Sequence, residues 1–292
     1  MIRAVAILLS LLAAVALAFG AQFQNDSIEK NVDKDKGAKR GVGIANFLAL
    51  LKNPRWLGGM SFLVLGALCQ IAALTMAPLI VVQPIGALAL VITALLNARS
   101  TKTPITKATW VAISLCTGGI ATFVSLATGI AQDQRELSDA NLYVILSILA
   151  FLLVALGTVF LVQRQRMNAL TFILGAGLLY GLLATLVKSV IQRIQQSHFE
   201  WLTVICLIAA VLAMALGGWF VQNAYASGPP DLVIAGLTVI DPMVAVTIGI
   251  IVLGEASSAS PLISIVFAAS GATAALGVWL LSRVHPELKS QR

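Results

Sequence analysis

Nine apolar stretches, each about 18 residues or longer, dominate this chain; they fall at about 3–20, 57–76, 79–97, 108–129, 141–162, 169–190, 201–221, 232–253 and 261–282. At 1.5 Å rise per residue, roughly 20 helical residues cover the ~30 Å hydrocarbon core of a bilayer. Inside that core every backbone N–H and C=O must be paired within the protein, so only helices and closed barrels can cross it. Barrel strands alternate polar and apolar residues, whereas these runs are apolar on all sides. They therefore predict an all-α integral membrane protein with about nine transmembrane helices. Composition agrees: 59% of the 292 residues are hydrophobic and 11% are charged. A soluble domain carries about 25% charged residues, so this chain lacks the polar surface to stay in water.

The breaks between runs carry proline and glycine: Asn53-Pro54, Thr103-Pro104, Gly228-Pro229-Pro230 and Ser260-Pro261. Trp56, Trp110, Trp201 and Trp279 lie near run ends, where aromatic residues anchor at the membrane interface. Cys69, Cys116 and Cys206 each lie alone in an apolar run, without metal-ligand or disulfide spacing, and read as small buried hydrophobes. The longest loop, 21–55, mixes seven basic residues with four acids. Its first part reads as solvated and flexible, and Ile44–Leu51 as a short helix on the membrane surface.

Nine spans place the polar segments alternately on two sides. Of the 19 Lys and Arg residues, 15 fall on the side of the 21–55 loop and the C-terminus, and 4 on the other: Arg3, Arg135, Lys188 and Arg193. Basic loops stay in the cytoplasm, which predicts a plasma-membrane protein with its N-terminus outside and its C-terminus inside. The excess of positive charge suits anionic lipids at the cytoplasmic face and gives no reason to expect nucleic acid. Met1–Gly20 also has the form of a signal peptide, with Ala16 and Ala18 near its end. Cleavage there would invert every later span and leave the basic loops outside.

The third and eighth runs align on their prolines. Val82-Gln83-Pro84-Ile85-Gly86-Ala87-Leu88 matches Ile240-Asp241-Pro242-Met243-Val244-Ala245-Val246, and Gln70 to Pro78 matches Gln222 to Pro230. Thr117-Gly118-Gly119 matches Ser270-Gly271-Ala272, and Phe19-Gly20 matches Tyr180-Gly181. Runs 1–4 thus resemble runs 6–9, with run 5 as spacer. An offset of five spans reverses direction, so this is an inverted-topology repeat, an architecture of secondary carriers with the substrate site at the repeat interface. The expected organisation is a first repeat over 1–131, a connecting span over 132–167, and a second repeat with a short tail over 168–292.

Trp56-Leu57-Gly58-Gly59, Leu65-Gly66-Ala67 and Ala77-Pro78-Leu79-Ile80-Val81-Val82-Gln83-Pro84-Ile85-Gly86-Ala87-Leu88 resemble the NIPA-like branch of the drug/metabolite transporter superfamily. Ile240-Asp241-Pro242-Met243-Val244-Ala245 and Leu253-Gly254-Glu255 resemble the repeat signature of EamA-type members. The resemblance implies a multi-pass transporter of about nine spans and, for the NIPA branch, magnesium as cargo. The chain departs from the pattern at Leu96-Asn97-Ala98, where a Gly-Glu pair is typical, and at Gln22, Gln24 and Asn25, where basic residues are expected.

Strongly polar side chains inside a span cost roughly 2.5–3.5 kcal/mol on insertion scales, so each is a site candidate. Asp241 leads, because the following Pro242 has no N–H and frees a carbonyl one turn upstream. A carboxylate beside loosened carbonyls can hold a cation or a proton, or simply bond a neighbouring helix. Gln83 is its counterpart before Pro84, and both prolines are expected to break their helices. Gln70, Gln222 and Asn223 are further lining candidates, with interhelical hydrogen bonding as the plainer role. Lys188, near the outer end of the sixth run, either touches substrate or snorkels to the interface, and the latter is the preferred reading. Glu255 meets the negative end of the eighth helix; either a partner such as Lys188 or Arg193, or exposure to water, resolves that conflict. The Gly177–Gly181 pair and the Ala209, Ala213, Gly217 stripe read as packing surfaces.

Enzyme chemistry finds no support. His198 and His285 lie outside the spans and no Walker A sequence is present, so neither a zinc-protease site, an intramembrane Ser–His pair nor ATP drive is indicated. No cofactor is expected. The reading favoured is a secondary transporter working by alternating access, moving a small metabolite or drug, or a divalent cation such as Mg²⁺ held by Asp241. A non-transporting scaffold for an envelope enzyme and a lipid flippase are the alternatives. Substrate, coupling ion, direction of transport and homodimer formation stay open at this stage.

Overall fold

The computed structural model describes residues 2–32, 54–100, 105–131, 137–163, 167–197, 199–228, 230–257 and 259–284. Among them the regular elements are helices: α1 (Ile2–Val32), α2 (Pro54–Met76), α3 (Leu79–Gly86), α4 (Leu88–Ser100), α5 (Lys107–Ile130), α6 (Asp139–Gln163), α7 (Ala169–Gln195), α8 (Trp201–Ser227), α9 (Pro230–Ile251) and α10 (Pro261–Val284). Nine segments among the described residues are long and apolar enough to cross a membrane, with α3 and α4 together forming the third.

Local sequence explains where the helices start. Helices α2, α9 and α10 begin at Pro54, Pro230 and Pro261, where a missing N–H costs nothing. Thr106 and Asn168 cap α5 and α7 by accepting the N–H groups of Thr109 (3.2 Å) and Thr171 (3.0 Å). Helices α1, α7 and α8 outrun their apolar stretches, reaching Val32, Gln195 and Ser227. Residues 21–32, expected to be flexible, continue α1 as helix, and Ala21 to Val32 contains no Gly or Pro to stop it. The expected surface helix at Ile44–Leu51 and most of the basic loop lie outside the described residues.

The two prolines behave differently. The third span breaks just after Pro84, where the N–H of Ala87 turns to the Pro84 carbonyl at 3.2 Å and α4 restarts at Leu88. The eighth span does not break: α9 runs through Pro242 without interruption. One missing hydrogen bond is tolerated in a membrane helix when neighbouring helices support the freed carbonyl. Helix α7 lies close alongside this stretch, against Ile240, Asp241 and Val244.

Helix α1 packs on α2 and on α3–α4; α7 packs on α8 and α9; α5 packs on α10. Thus the first span of each half holds the second and third of its own half, and the two fourth spans hold each other. Helix α7 is the most buried span and α6 the least. Association in lipid relies on close backbone approach rather than on exclusion of water. Gly119 and Gly277 provide it between α5 and α10: a methyl group on either would lie 2.5 Å from the Ala274 nitrogen or 2.3 Å from the Cys116 nitrogen. The three cysteines are buried and free, as their placement in the apolar runs predicts. Of the tryptophans, Trp110, Trp201 and Trp279 are exposed, but Trp56 is 6% exposed and belongs to the core.

Candidate functional site

Among the described residues, two polar features within the bundle involve ionisable side chains at the sequence candidates. The first surrounds Asp241. Its position on α9 faces α7, where a Cβ at Gly181 would be 2.9 Å from the Asp241 carbonyl and one at Gly177 would be 3.5 Å from its nitrogen. The Gly177–Gly181 pair is therefore a packing surface, as its spacing suggests, and what it packs against is Ile240 and Val244, with the backbone of the acid between them. Oδ1 of Asp241 is buried without a hydrogen-bond partner. A buried carboxylate oxygen in that state costs free energy unless a ligand or proton satisfies it. Next to it, Pro242 supplies no N–H to the Thr238 carbonyl, which leaves a second oxygen short of its helical donor.

Tyr180 adds a phenol to this group. It lies on α7 within electrostatic reach of Asp241, and Tyr225 on α8 is in turn within reach of Tyr180. Gly217 makes the space, since a Cβ there would meet the Tyr180 ring at 2.7 Å. Neither tyrosine stands out in the sequence as a site residue, because an amphipathic aromatic in an apolar run looks like any core residue. The alignment of Tyr180-Gly181 with Phe19-Gly20 was the one available signal.

The other sequence candidates lie on other helices. Gln83 is buried on α3, and α3 packs on α9. Gln70 is half-buried on α2 and Gln222 is exposed on α8. Asn223 donates its amide to the Trp219 carbonyl of its own helix at 2.8 Å. Among the described residues, no three His, Cys, Asp or Glu side chains come together to hold a metal. A cation at Asp241 would be held by one carboxylate, backbone carbonyls and its own water.

The second feature occupies one end of the bundle and was not anticipated as a unit. Lys188 does not snorkel. It is 5% exposed and donates to the carbonyls of Leu74 (2.6 Å) and Ala77 (2.9 Å), at the C-terminal end of α2. Glu255 is 4% exposed and accepts the N–H groups of Leu79 (2.9 Å) and Ile80 (3.0 Å), the first turn of α3. Its conflict with the end of α9 is resolved by the positive end of another helix, with Lys188 close enough to act on its charge. Burial raises the Glu255 carboxyl above the ordinary carboxylate range, against the opposing pull of the two amides and Lys188. Arg193, the other partner considered, pairs instead with Asp139 at the start of α6.

Glycine geometry delivers Glu255 to this place. After α9 ends, Gly254 takes φ 68°, a left-handed conformation that turns the chain back on the helix end. The Glu255 N–H then reaches the Gly249 carbonyl at 3.0 Å. A side chain at Gly249 would collide with the Glu255 carboxylate at 2.8 Å.

The description "Magnesium transporter NIPA" belongs to the family model that matches residues 2–197. This stretch includes Lys188 and ends before Asp241 and Glu255. An uncharacterized protein of Corynebacterium glutamicum is 26% identical over 254 residues, which is 86% of this chain and 85% of that protein. The probable magnesium transporter NIPA9 of Arabidopsis thaliana is 24% identical over 224 residues, covering 73% of this chain and 64% of that one. No solved structure matches.

Proposed function

Because the chain belongs to the magnesium transporter NIPA family, within the drug/metabolite transporter superfamily, we propose that it is a secondary carrier of Mg²⁺ working by alternating access around Asp241. Membership makes it a multi-pass membrane transporter; the cargo and the cycle are the proposal. One observation carries it: a buried carboxylate oxygen with no partner, on a helix whose proline leaves a carbonyl short of its donor. Mg²⁺ keeps several waters and is usually bound through one or two carboxylates, which suits a site with a single acid. A carrier must also release what it binds, and a site built from one acid releases more readily than an all-protein cage.

The helix pairing described above supports two repeats, 1–131 and 168–292, moving against each other with α6 at the periphery. The 15-to-4 distribution of Lys and Arg supports an outer N-terminus and a cytoplasmic C-terminus in the plasma membrane.

The test is Mg²⁺ entry into proteoliposomes followed by a trapped fluorescent indicator. Wild type should show saturable uptake, and Asp241→Ala should reduce it to the protein-free leak. Wild-type uptake retained in Asp241→Ala would remove the acid from the mechanism. Absence of Mg²⁺ flux in wild type, with flux of a small organic solute, would replace the cargo.

A further inference from the structure

Several side-chain bonds between helices gather at one end of the bundle. Lys188 and Glu255 hold the corner between α2 and α3, and Gln195 adds a hydrogen bond to the Thr75 carbonyl at 2.9 Å. Asn141 donates to the Val252 carbonyl at 3.0 Å, tying α6 to the end of α9. Arg193 and Asp139 tie α7 to α6. The Arg3 guanidinium reaches the carbonyls of Thr128 and Ala131 and ties α1 to the end of α5.

The grip on the α2–α3 corner differs from the rest in kind. Both charges come from the second half of the chain, and both seize the first half at helix ends, where backbone groups lack partners within their own helix. Lysine takes the negative end of α2, and glutamate takes the positive end of α3. Neither contact needs a partner side chain in the first half. It needs only that residues 74–80 present two free carbonyls and two free amides, which any chain turning from one helix into another does. Such a contact can be released whole, because the corner can move away with its backbone groups rehydrated. Leu74, Ala77, Leu79 and Ile80 are each at most 3% exposed, so water is excluded while the grip holds.

We infer that Lys188 and Glu255 form a gate, closed in this structure, that seals the Leu79 end of the bundle by gripping the α2–α3 corner, and that transport requires its release. This rests on the carrier reading above. The same geometry assigns Gly254 and Gly249 as positioning residues, because one aims Glu255 and the other leaves room for it.

Accessibility measures the gate without depending on cargo. In a chain with Cys69, Cys116 and Cys206 replaced by alanine, Val81→Cys places a reporter thiol at a position with 0% exposure, just behind the gate. Glu200→Cys, exposed at the same end of the bundle, serves as reference. A membrane-impermeant maleimide is applied to sealed proteoliposomes, and the labelling rate of the reporter thiol is divided by that of the reference thiol. Glu255→Gln and Lys188→Met should raise this ratio roughly tenfold by shifting the population towards the open form, while Lys188→Arg should keep it low. An unchanged ratio in variants that stay monodisperse would reduce the pair to a structural staple and overturn the gate.

A second arm avoids altering either charge. Thr75→Cys and Gln195→Cys, bridged by a short bismaleimide, should abolish Mg²⁺ flux. Flux that persists in fully bridged protein would also overturn the proposal. If the parent carries no Mg²⁺ but the ratio rises as stated, the gate stands and the assignment of cargo falls.

Discussion

Two adjacent glycines on α5 offer a sensitive test of the packing. A Cβ on Gly119 would lie 2.5 Å from the Ala274 nitrogen, 2.9 Å from its Cα and 2.9 Å from the Ser270 carbonyl; one on Gly118 meets nothing within 4 Å. The obstructing atoms at Gly119 are backbone, which cannot rotate aside. Ordinary contact begins at 3.4 Å, so Gly119→Ala must part α5 from α10 by about 0.9 Å at the contact. Overpacking of this size costs about 1–3 kcal/mol. Gly118→Ala should gain up to about 1 kcal/mol from helix propensity alone. With about 2–4 °C per kcal/mol for a chain of this size class, Gly119→Ala should melt roughly 2–12 °C below wild type, and Gly118→Ala at or above it. The assay is thermal unfolding of the detergent-purified protein, followed by tryptophan fluorescence or by loss of the monodisperse peak. Equal melting temperatures for the two variants would refute the close approach of α5 and α10, and with it the pairing of the two fourth spans.

Other expectations follow from single contacts. Gly254→Ala forces a side chain into φ 68° and should cost about 1–2 kcal/mol, with increased maleimide labelling at the Leu79 end; a variant as stable and as sealed as wild type would show that the turn does not aim Glu255. Pro242→Ala returns an N–H to the Thr238 carbonyl, so the melting temperature should rise while Mg²⁺ uptake falls; unimpaired uptake would show that the freed carbonyl plays no part. Arg193→Ala removes the partner of Asp139, whose side chain is 55% exposed, so solvent screening limits the ion-pair loss to at most about 1 kcal/mol. Uptake that collapses in Arg193→Ala without loss of stability would place this pair in the transport cycle.

Much of this protein is written in one dimension. Nine spans, their order and the asymmetry of basic residues follow from the cost of placing charge and unpaired backbone groups in hydrocarbon, a cost that each segment meets by itself. Asp241 could be singled out for the same reason, and Gly177–Gly181 as a packing surface, because both properties are local to one helix. What Lys188 and Glu255 do could not be read that way. Their partners are backbone carbonyls and amides more than 100 positions distant, and every residue type has those. A lysine near the end of a span ordinarily snorkels; here the end of α2 packs beside α7 and draws it inward. Likewise Pro84 and Pro242 occupy matching sequences, yet one helix breaks and the other continues, a difference that the local sequence does not carry. The bilayer alone selects the spans; only helix-to-helix contact decides which polar groups meet.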